Sequence, residues 1–550
     1  MPIFYARRQP RATTVRASDL AGSVSNFASV RRLFILLALM LAAACAVPKK
    51  PVVVLGPSPA ERLAAADALV RAGCLDCFAS AYREYDALRQ IPAAAEHATA
   101  GAIRAGALLA LRERELGMVD DGYLTIARDL AAQPSAPLLA ATLTKILDVV
   151  DTLPGGVLSI GRPPMSDLDL SRSQRLRLNR VAWKAMLRDL TDTDELAAYA
   201  YVSLMCTSIE ERETLTGEIF QATALRDTPL LTFRRLTCRA VQPEALIDLR
   251  AKDPRFVEVV ALLGAFQVGQ SKLEDADKSY QEAIDWHPQW PRVTLAIANV
   301  AMTGEEFDRA LEFYDRTIAM DRSPDAMLGK VRAQTFLGRA EEAIATTNQL
   351  LAQQWYLGDA RYWRSLNEAQ LNRLEVAWED IELADRLLVN AEVPKLAGII
   401  AYRQQQADAA LAPRLDVARA KFEISHERNP NDCETTFYLG IVHEDQRAWE
   451  RAATVLGDAV RCLEGAEKGY RLEIDRIRAS DDPPARKERQ IARREKAIAN
   501  GRRMIATSWF NTAVAFLNLS RKEEARQFAE KVIADEQFGD RAREILSRIR

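Results

Sequence analysis

From Ala60 onward, apolar residues recur at intervals of three and four almost everywhere, and no stretch shows the strict alternation of a half-buried strand. That period predicts an all-α chain. One apolar run near the start breaks the pattern. Arg31 and Arg32 precede an uninterrupted apolar stretch from Leu33 to Leu41, then small residues from Ala42 to Ala44, then Cys45. The run falls short of the roughly 20 apolar residues that a bilayer span needs, and its order of charge, apolar core and small residues is that of an export signal.

With a cysteine directly after the small residues, this stretch resembles a bacterial lipoprotein signal. The resemblance implies cleavage before Cys45 and acylation of that residue, hence a lasting membrane anchor on the periplasmic side of the envelope, at the outer membrane. The same alanines suit an ordinary signal peptidase, and a soluble periplasmic protein is the alternative. Residues 1–45 are then leader and signal, and 46–59 a linker.

A repeat becomes legible from Val257. Gly264, Ala276, Tyr280, Ala283 and Pro288 set a pattern whose phase persists, since Ala310, Ala343 and Ala377 follow Ala276 at intervals of 34, 33 and 34 residues. Tyr314, Gly338 and Ala384 keep step. A fifth unit retains Ala418, Phe422 and Pro430 around a longer turn, a sixth has Leu439, Gly440, Ala452 and Ala459, and a last one has Trp509, Ala513, Phe516 and Ala525. These spacings resemble the tetratricopeptide repeat (TPR). The resemblance implies a right-handed superhelix of helix-turn-helix units whose first helices line a concave face that binds a protein or peptide segment. Carried over position by position, that wall includes Arg292, Leu295, Asn299, Leu328, Arg332, Tyr362, Leu366, Phe437, Ile441 and Phe510. Leu295 and Gly329 stand where a lysine and asparagine clamp for a peptide carboxylate would be needed, so that particular ligand is not expected.

Between the sixth and last units, Leu463, Tyr470 and Ile477 recur every seven residues before the Asp-Asp-Pro-Pro turn, and Ile491, Ile498 and Ile505 after it. This predicts a long antiparallel helical hairpin over 463–505. From Arg486 to Arg503 eight basic residues accompany only Glu488 and Glu495. They form either a solvated face or a patch for an acidic partner or lipid headgroups. The predicted organisation is completed by a divergent helical region over 60–250, repeats over 257–462, and a final repeat with a capping helix over 506–550.

Charge narrows the function. Over 550 residues, 76 acidic side chains balance 74 basic ones, so no overall field points to nucleic acid. The cysteines after Cys45 fall into three close pairs, Cys74 with Cys77, Cys206 with Cys238, and Cys433 with Cys462; six thiols allow about 15 pairings. In the repeat frame Cys433 opens and Cys462 closes one helical hairpin, and Cys206 and Cys238 stand about one repeat apart. Disulfides there suit an oxidising compartment. The stretch Cys74-Leu-Asp-Cys77 also resembles a thiol-redox motif, without the surrounding strands such a site uses. His97, His287, His426 and His443 show no metal-ligand spacing, and no nucleophile elbow, zinc motif or phosphate loop occurs. No catalytic residue, metal or cofactor is expected, and the chain reads as a binding scaffold. The alternatives are an envelope enzyme with its site in 60–250, such as a helical cell-wall lyase using one glutamate, and a redox protein using Cys74 and Cys77.

Overall fold

The computed structural model describes residues 56–133, 140–154, 167–208, 227–238, 242–408, 414–480 and 482–549. The export-signal stretch and Cys45 lie outside the described residues. Among the described residues there are helices and no strand. In chain order they are α1 (Pro59–Ala72), α2 (Leu75–Leu88), α3 (Ala95–Leu116), α4 (Tyr123–Ala131), α5 (Ala140–Thr152), α6 (Asp167–Arg188), α7 (Glu195–Cys206), α8 (Pro229–Cys238) and α9 (Pro243–Lys252). The repeats follow as α10 (Val259–Gly269), α11 (Leu273–Trp286), α12 (Pro291–Thr303), α13 (Phe307–Asp321), α14 (Pro324–Phe336), α15 (Ala340–Ala352), α16 (Leu357–Gln370), α17 (Leu374–Leu387), α18 (Glu392–Ala407) and α19 (Arg414–Arg428). The chain closes with α20 (Cys433–Asp445), α21 (Trp449–Ala479), α22 (Pro484–Asn518), α23 (Lys522–Lys531) and α24 (Gly539–Ile549).

From α10 onward each helix packs on its neighbours in sequence, an all-α array of helix-turn-helix repeats interrupted by one long helical hairpin. The in-phase alanines explain the close approach of the paired helices: Ala276, Ala310, Ala343, Ala377, Ala418, Ala452 and Ala525 are all fully buried. A larger side chain at these positions would push two backbones apart. Tyr280, one turn after its alanine, fills the space opposite Gly264, where a Cβ would come within 2.7 Å of the ring.

The turns inside six of the repeats, among the described residues, carry a second regularity. Ser271, Glu305, Gly338, Asn372, Arg447 and Ser520 occupy equivalent places and all hold positive φ, between 58° and 73°. A left-handed residue two places past the first helix lets the chain reverse within a short turn. Glycine and asparagine suit that conformation; a glutamate there costs about 1 kcal/mol.

The bounds of the hairpin, 463 and 505, fall within continuous helices. α21 runs through 463 as one helix of 31 residues and α22 runs through 505 as one of 35. The second helix of the sixth repeat simply continues outward as one arm, and the returning arm becomes the first helix of the last repeat. Nothing at either position caps or breaks a helix. The seam is tight near the repeats, where Val460, Leu463 and Ile505 are buried together, and thins outward, where Tyr470, Ile477, Ile491 and Ile498 are only half-buried.

Residues 59–550 form one unit, and the first half is joined to the repeats by polar contacts inside its core. Trp290, fully buried at the start of α12, donates its indole N–H to the Leu116 carbonyl at 2.8 Å. Arg112 of α3, also fully buried, reaches Glu258 at 2.7 Å, the Tyr199 hydroxyl at 3.2 Å and the Gly73 carbonyl at 3.1 Å.

Candidate binding cleft

The expected wall of first-helix residues is only partly a surface. Leu295, Phe437, Ile441 and Phe510 are at most 9% exposed and belong to the packed interior, so none of them is available to a partner. The stem of Arg292 lies across Gly117 at the end of α3, because the first half of the chain docks against α12 and covers that part of the wall. Tyr362 and Leu366 are half-buried against α17 and α18, and Leu328 packs beside Met327 and Val331. Asn299 and Arg332 are exposed; the Asn299 side-chain carbonyl accepts from Tyr314 at 2.8 Å, and Arg332 lies 5.7 Å over the Trp363 ring. The cause of these departures is shared. A position that faces a groove in an ideal repeat faces core wherever another part of the chain lies over it.

What the structure brings together instead is the basic hairpin and an early repeat. Near its start, α22 lies against the turn between α12 and α13, some 180 residues earlier in the chain. Arg486 and Arg489 reach one oxygen of Glu306 at 3.2 and 2.9 Å, while Arg493 and Arg494 reach one oxygen of Glu305 at 3.2 and 2.7 Å. Arg494 also pairs across the hairpin with Glu473 at 3.2 Å. Arg486, Arg489 and Arg493 recur at three and four places, hence along one face of α22, and Arg494 flanks that face toward Glu473. Arg502 likewise pairs across the hairpin with Glu467 at 2.7 Å, so the acidic partner anticipated for the basic stretch is, for five of its eight cations, this chain itself.

The Arg486 side chain is 5% exposed and that of Glu305 10%, so the Arg486–Glu306 pair and the Glu305 carboxylate are shielded from water and salt, whereas the Arg489 and Arg493 side chains are 41% and 49% exposed and their pairs are screened much as surface pairs are. Beside them Phe307 and Phe336 stack at 5.2 Å, Trp363 meets Phe336 edge-on at 6.3 Å, and the Arg493 guanidinium lies 5.2 Å over Phe336. Between the α22 face and this turn remains a cleft of 1080 Å³, with Lys496 and Asn500 continuing the basic side and Phe336 and Leu337 the apolar one. Glu305, Glu306, Phe307 and Phe336 are cleft residues that the sequence pattern did not single out, and of these Glu305 alone left a signal. Its signal was its place in the turn, where the next two repeats carry Gly338 and Asn372.

The cysteines meet as three pairs, with sulfurs 2.04 Å apart for Cys74 and Cys77, 2.05 Å for Cys206 and Cys238, and 1.97 Å for Cys433 and Cys462. Cys206 and Cys238 end α7 and α8, as parallel helices one repeat apart require, whereas Cys462 lies in mid-helix rather than closing one. Cys74 caps α2, its sulfur accepting from the Cys77 N–H at 3.0 Å, and both residues are buried at 0% and 1% exposure. A substrate thiol cannot reach either sulfur without opening the start of α2. Among the described residues no group of three metal-ligating side chains occurs, and no helix is long and apolar enough to cross a membrane.

In the first half one carboxyl stands out. Glu113 on α3 is 6% exposed, one of its oxygens has no hydrogen-bond partner, and burial together with Asp121 pushes its pKa up to about 8. His97 pairs with Asp67 at 3.1 Å, His426 with Thr436 at 3.3 Å, and burial lowers the pKa of His443.

No protein-family model matches the chain, and no curated protein matches it. Among solved structures it is similar to YrrB, described as a TPR protein with an unusual peptide-binding site, at 20% identity over 34% of this chain and 93% of that one, with a TM-score of 0.28. It is similar to pilF of Pseudomonas aeruginosa at 18% identity over 37% of this chain and 90% of that one, with a TM-score of 0.33. A chain of the Cut9–Hcn1 hetero-tetramer of the APC/C matches at 13% identity over 90% of this chain and 97% of that one, with a TM-score of 0.37. At these scores the likenesses add nothing to the fold already evident in the helix pairs.

Proposed function

We propose that this protein is an exported, lipid-anchored scaffold of the tetratricopeptide-repeat type, which holds a protein or peptide segment at the cell envelope and catalyses no reaction itself. The observation that carries the binding half is the cleft between the hairpin and the α12–α13 turn, with an aromatic floor and a charged wall. Clefts of this kind, apolar at the base with a few directed polar groups, are what binding sites are made of. Export is supported by the order of residues from Arg31 to Cys45 and by three cysteine pairs at bonding distance, which persist where the surroundings are oxidising.

Two measurements test the halves separately. Intact mass of protein taken from its native membrane fraction should correspond to a chain that begins at an acylated Cys45; a retained leader removes the export half. A photo-crosslinking residue in place of Phe336 should capture a discrete partner in cells, while the same residue in place of Val389, which is 91% exposed and outside the cleft, should not. Equal labelling from both positions removes the binding half. The enzyme alternative draws on Glu113, a carboxyl kept protonated to about pH 8. It requires that Glu113→Gln abolish a turnover that the scaffold does not have.

A further inference from the structure

The two ends of the cleft differ in how their charges are matched. At one end the arginines of α22 meet Glu305 and Glu306. At the other, Lys496 and Asn500 lie further along the same face, opposite Phe336 and Leu337. Among the described residues no carboxylate pairs with Lys496, and the third acid lining the cleft, Asp308, is bound to Arg339 at 2.8 Å. The Nη1 atom of buried Arg486 has no hydrogen-bond acceptor and lies 3.6 Å from the Asp482 carboxylate. Positive charge therefore exceeds negative charge along the cleft, and the excess sits beside an exposed aromatic. Phe336 is 46% exposed, with Arg493 over its face.

From this we infer that the cleft takes an acidic segment of a partner protein. One of its carboxylates pairs with Lys496 and an apolar side chain packs on Phe336. Further carboxylates take over Arg489 and Arg493 from Glu305 and Glu306. The exchange replaces one set of ion pairs with another at two arginines whose side chains are 41% and 49% exposed, so its cost is low. A volume of 1080 Å³ accommodates several residues of extended chain.

The inference rests on the scaffold reading, and the experiment separates the two. Full-length protein with its disulfides intact is titrated against three fluorescent peptides that share phenylalanine and glycine positions and carry glutamate, glutamine or lysine elsewhere. The glutamate peptide should bind about tenfold or more tightly than the glutamine peptide, a difference of about 1.4 kcal/mol, and the lysine peptide more weakly still. Lys496→Glu, a change at an exposed and unpaired residue that should leave the melting temperature unaltered, should reverse that preference. Glu306→Gln, which removes a competitor, should strengthen glutamate-peptide binding several-fold. Equal binding of all three peptides overturns the inference and leaves the scaffold reading standing. Failure of the glutamate peptide to bind overturns the inference whatever the others do; if crosslinking from Phe336 is also absent, the scaffold reading falls with it. Lys496-dependent binding to vesicles of anionic lipid, with no peptide preference, overturns it in favour of headgroup recognition.

Discussion

At the scale of single residues, the chain buries more charge than its composition suggests. Arg112 and Arg234 lie among Glu115 and Glu258, with Arg234 at 2.9 Å from Glu115 and Arg112 at 2.7 Å from Glu258. Two cations and two anions cancel, the Tyr199 hydroxyl donates to Glu115, and the Arg112 guanidinium lies 3.9 Å over the Phe233 ring. Such a set is tolerable only while it is complete, because removing one partner strands a charge that water cannot reach. Glu258→Gln should therefore destabilise the protein by about 3–5 kcal/mol, read as the shift of a chemical denaturation midpoint. A midpoint unchanged by that substitution would show that Arg112 finds water or another acceptor. Glu113 makes the opposite case, a carboxyl that folding keeps neutral. Its folded pKa of about 8 lies above the ordinary glutamate value, so between the two the native state holds a proton that the unfolded chain has lost. Stability falls as pH rises through that window, by at most about 1.4 kcal/mol per pH unit. Glu113→Gln should be neutral near pH 4 and stabilising by pH 8, so melting temperatures of the two proteins should diverge with pH.

At the scale of elements, the turn within each repeat and the hairpin that reaches one of them set the behaviour of the molecule. Solenoid repeats normally touch only their neighbours, which makes stability a sum of local terms. Here the contacts of α22 with Glu305 and Glu306 tie the far end of the array to an early repeat. Replacing Glu305 by asparagine, which accepts the left-handed conformation, together with Glu306→Gln should release the latch without straining the turn. Hydrogen exchange of the first turns of α22 should then speed up by about tenfold or more, on the expectation of about 1–3 kcal/mol for four pairs of which two are partly exposed. Exchange between 505 and 518, where α22 packs within the last repeat, should not change. An accelerated exchange over the whole helix would mean that the latch holds up the repeat and not only the hairpin.

For the molecule as a whole, the disulfides divide by access. Cys74 and Cys77 are buried, Cys206 and Cys238 are each 7% exposed, and Cys433 and Cys462 are half-buried on the flank of the hairpin. Under mild reductant with alkylation, Cys433 and Cys462 should be labelled first, and the other four only as the protein unfolds. Loops of about this length contribute roughly 3–4 kcal/mol each, so loss of the Cys433–Cys462 bond should lower the melting temperature measurably while leaving the helix content intact. Mass mapping of the labelled thiols decides the order; simultaneous labelling of all six would place the buried pairs within easy reach of solvent.

The periodic apolar pattern and the in-phase alanines were enough to determine the helices, the repeats after Val257 and the hairpin, because each is set by contacts within some 35 residues of chain. Cysteine spacing suggested the same three pairs for the same local reason. The wall residues were less legible: Leu295 and Arg292 follow the pattern of a groove, yet the first half of the chain folds over them, and no local rule records what will lie above a helix. The same holds for the basic stretch, which reads as a surface for some other molecule until its arginines are seen opposite Glu305 and Glu306, roughly 180 residues away. Local sequence determined what each element is. The tertiary structure alone decided which faces remain open, because burial and charge pairing depend on distant segments meeting in space.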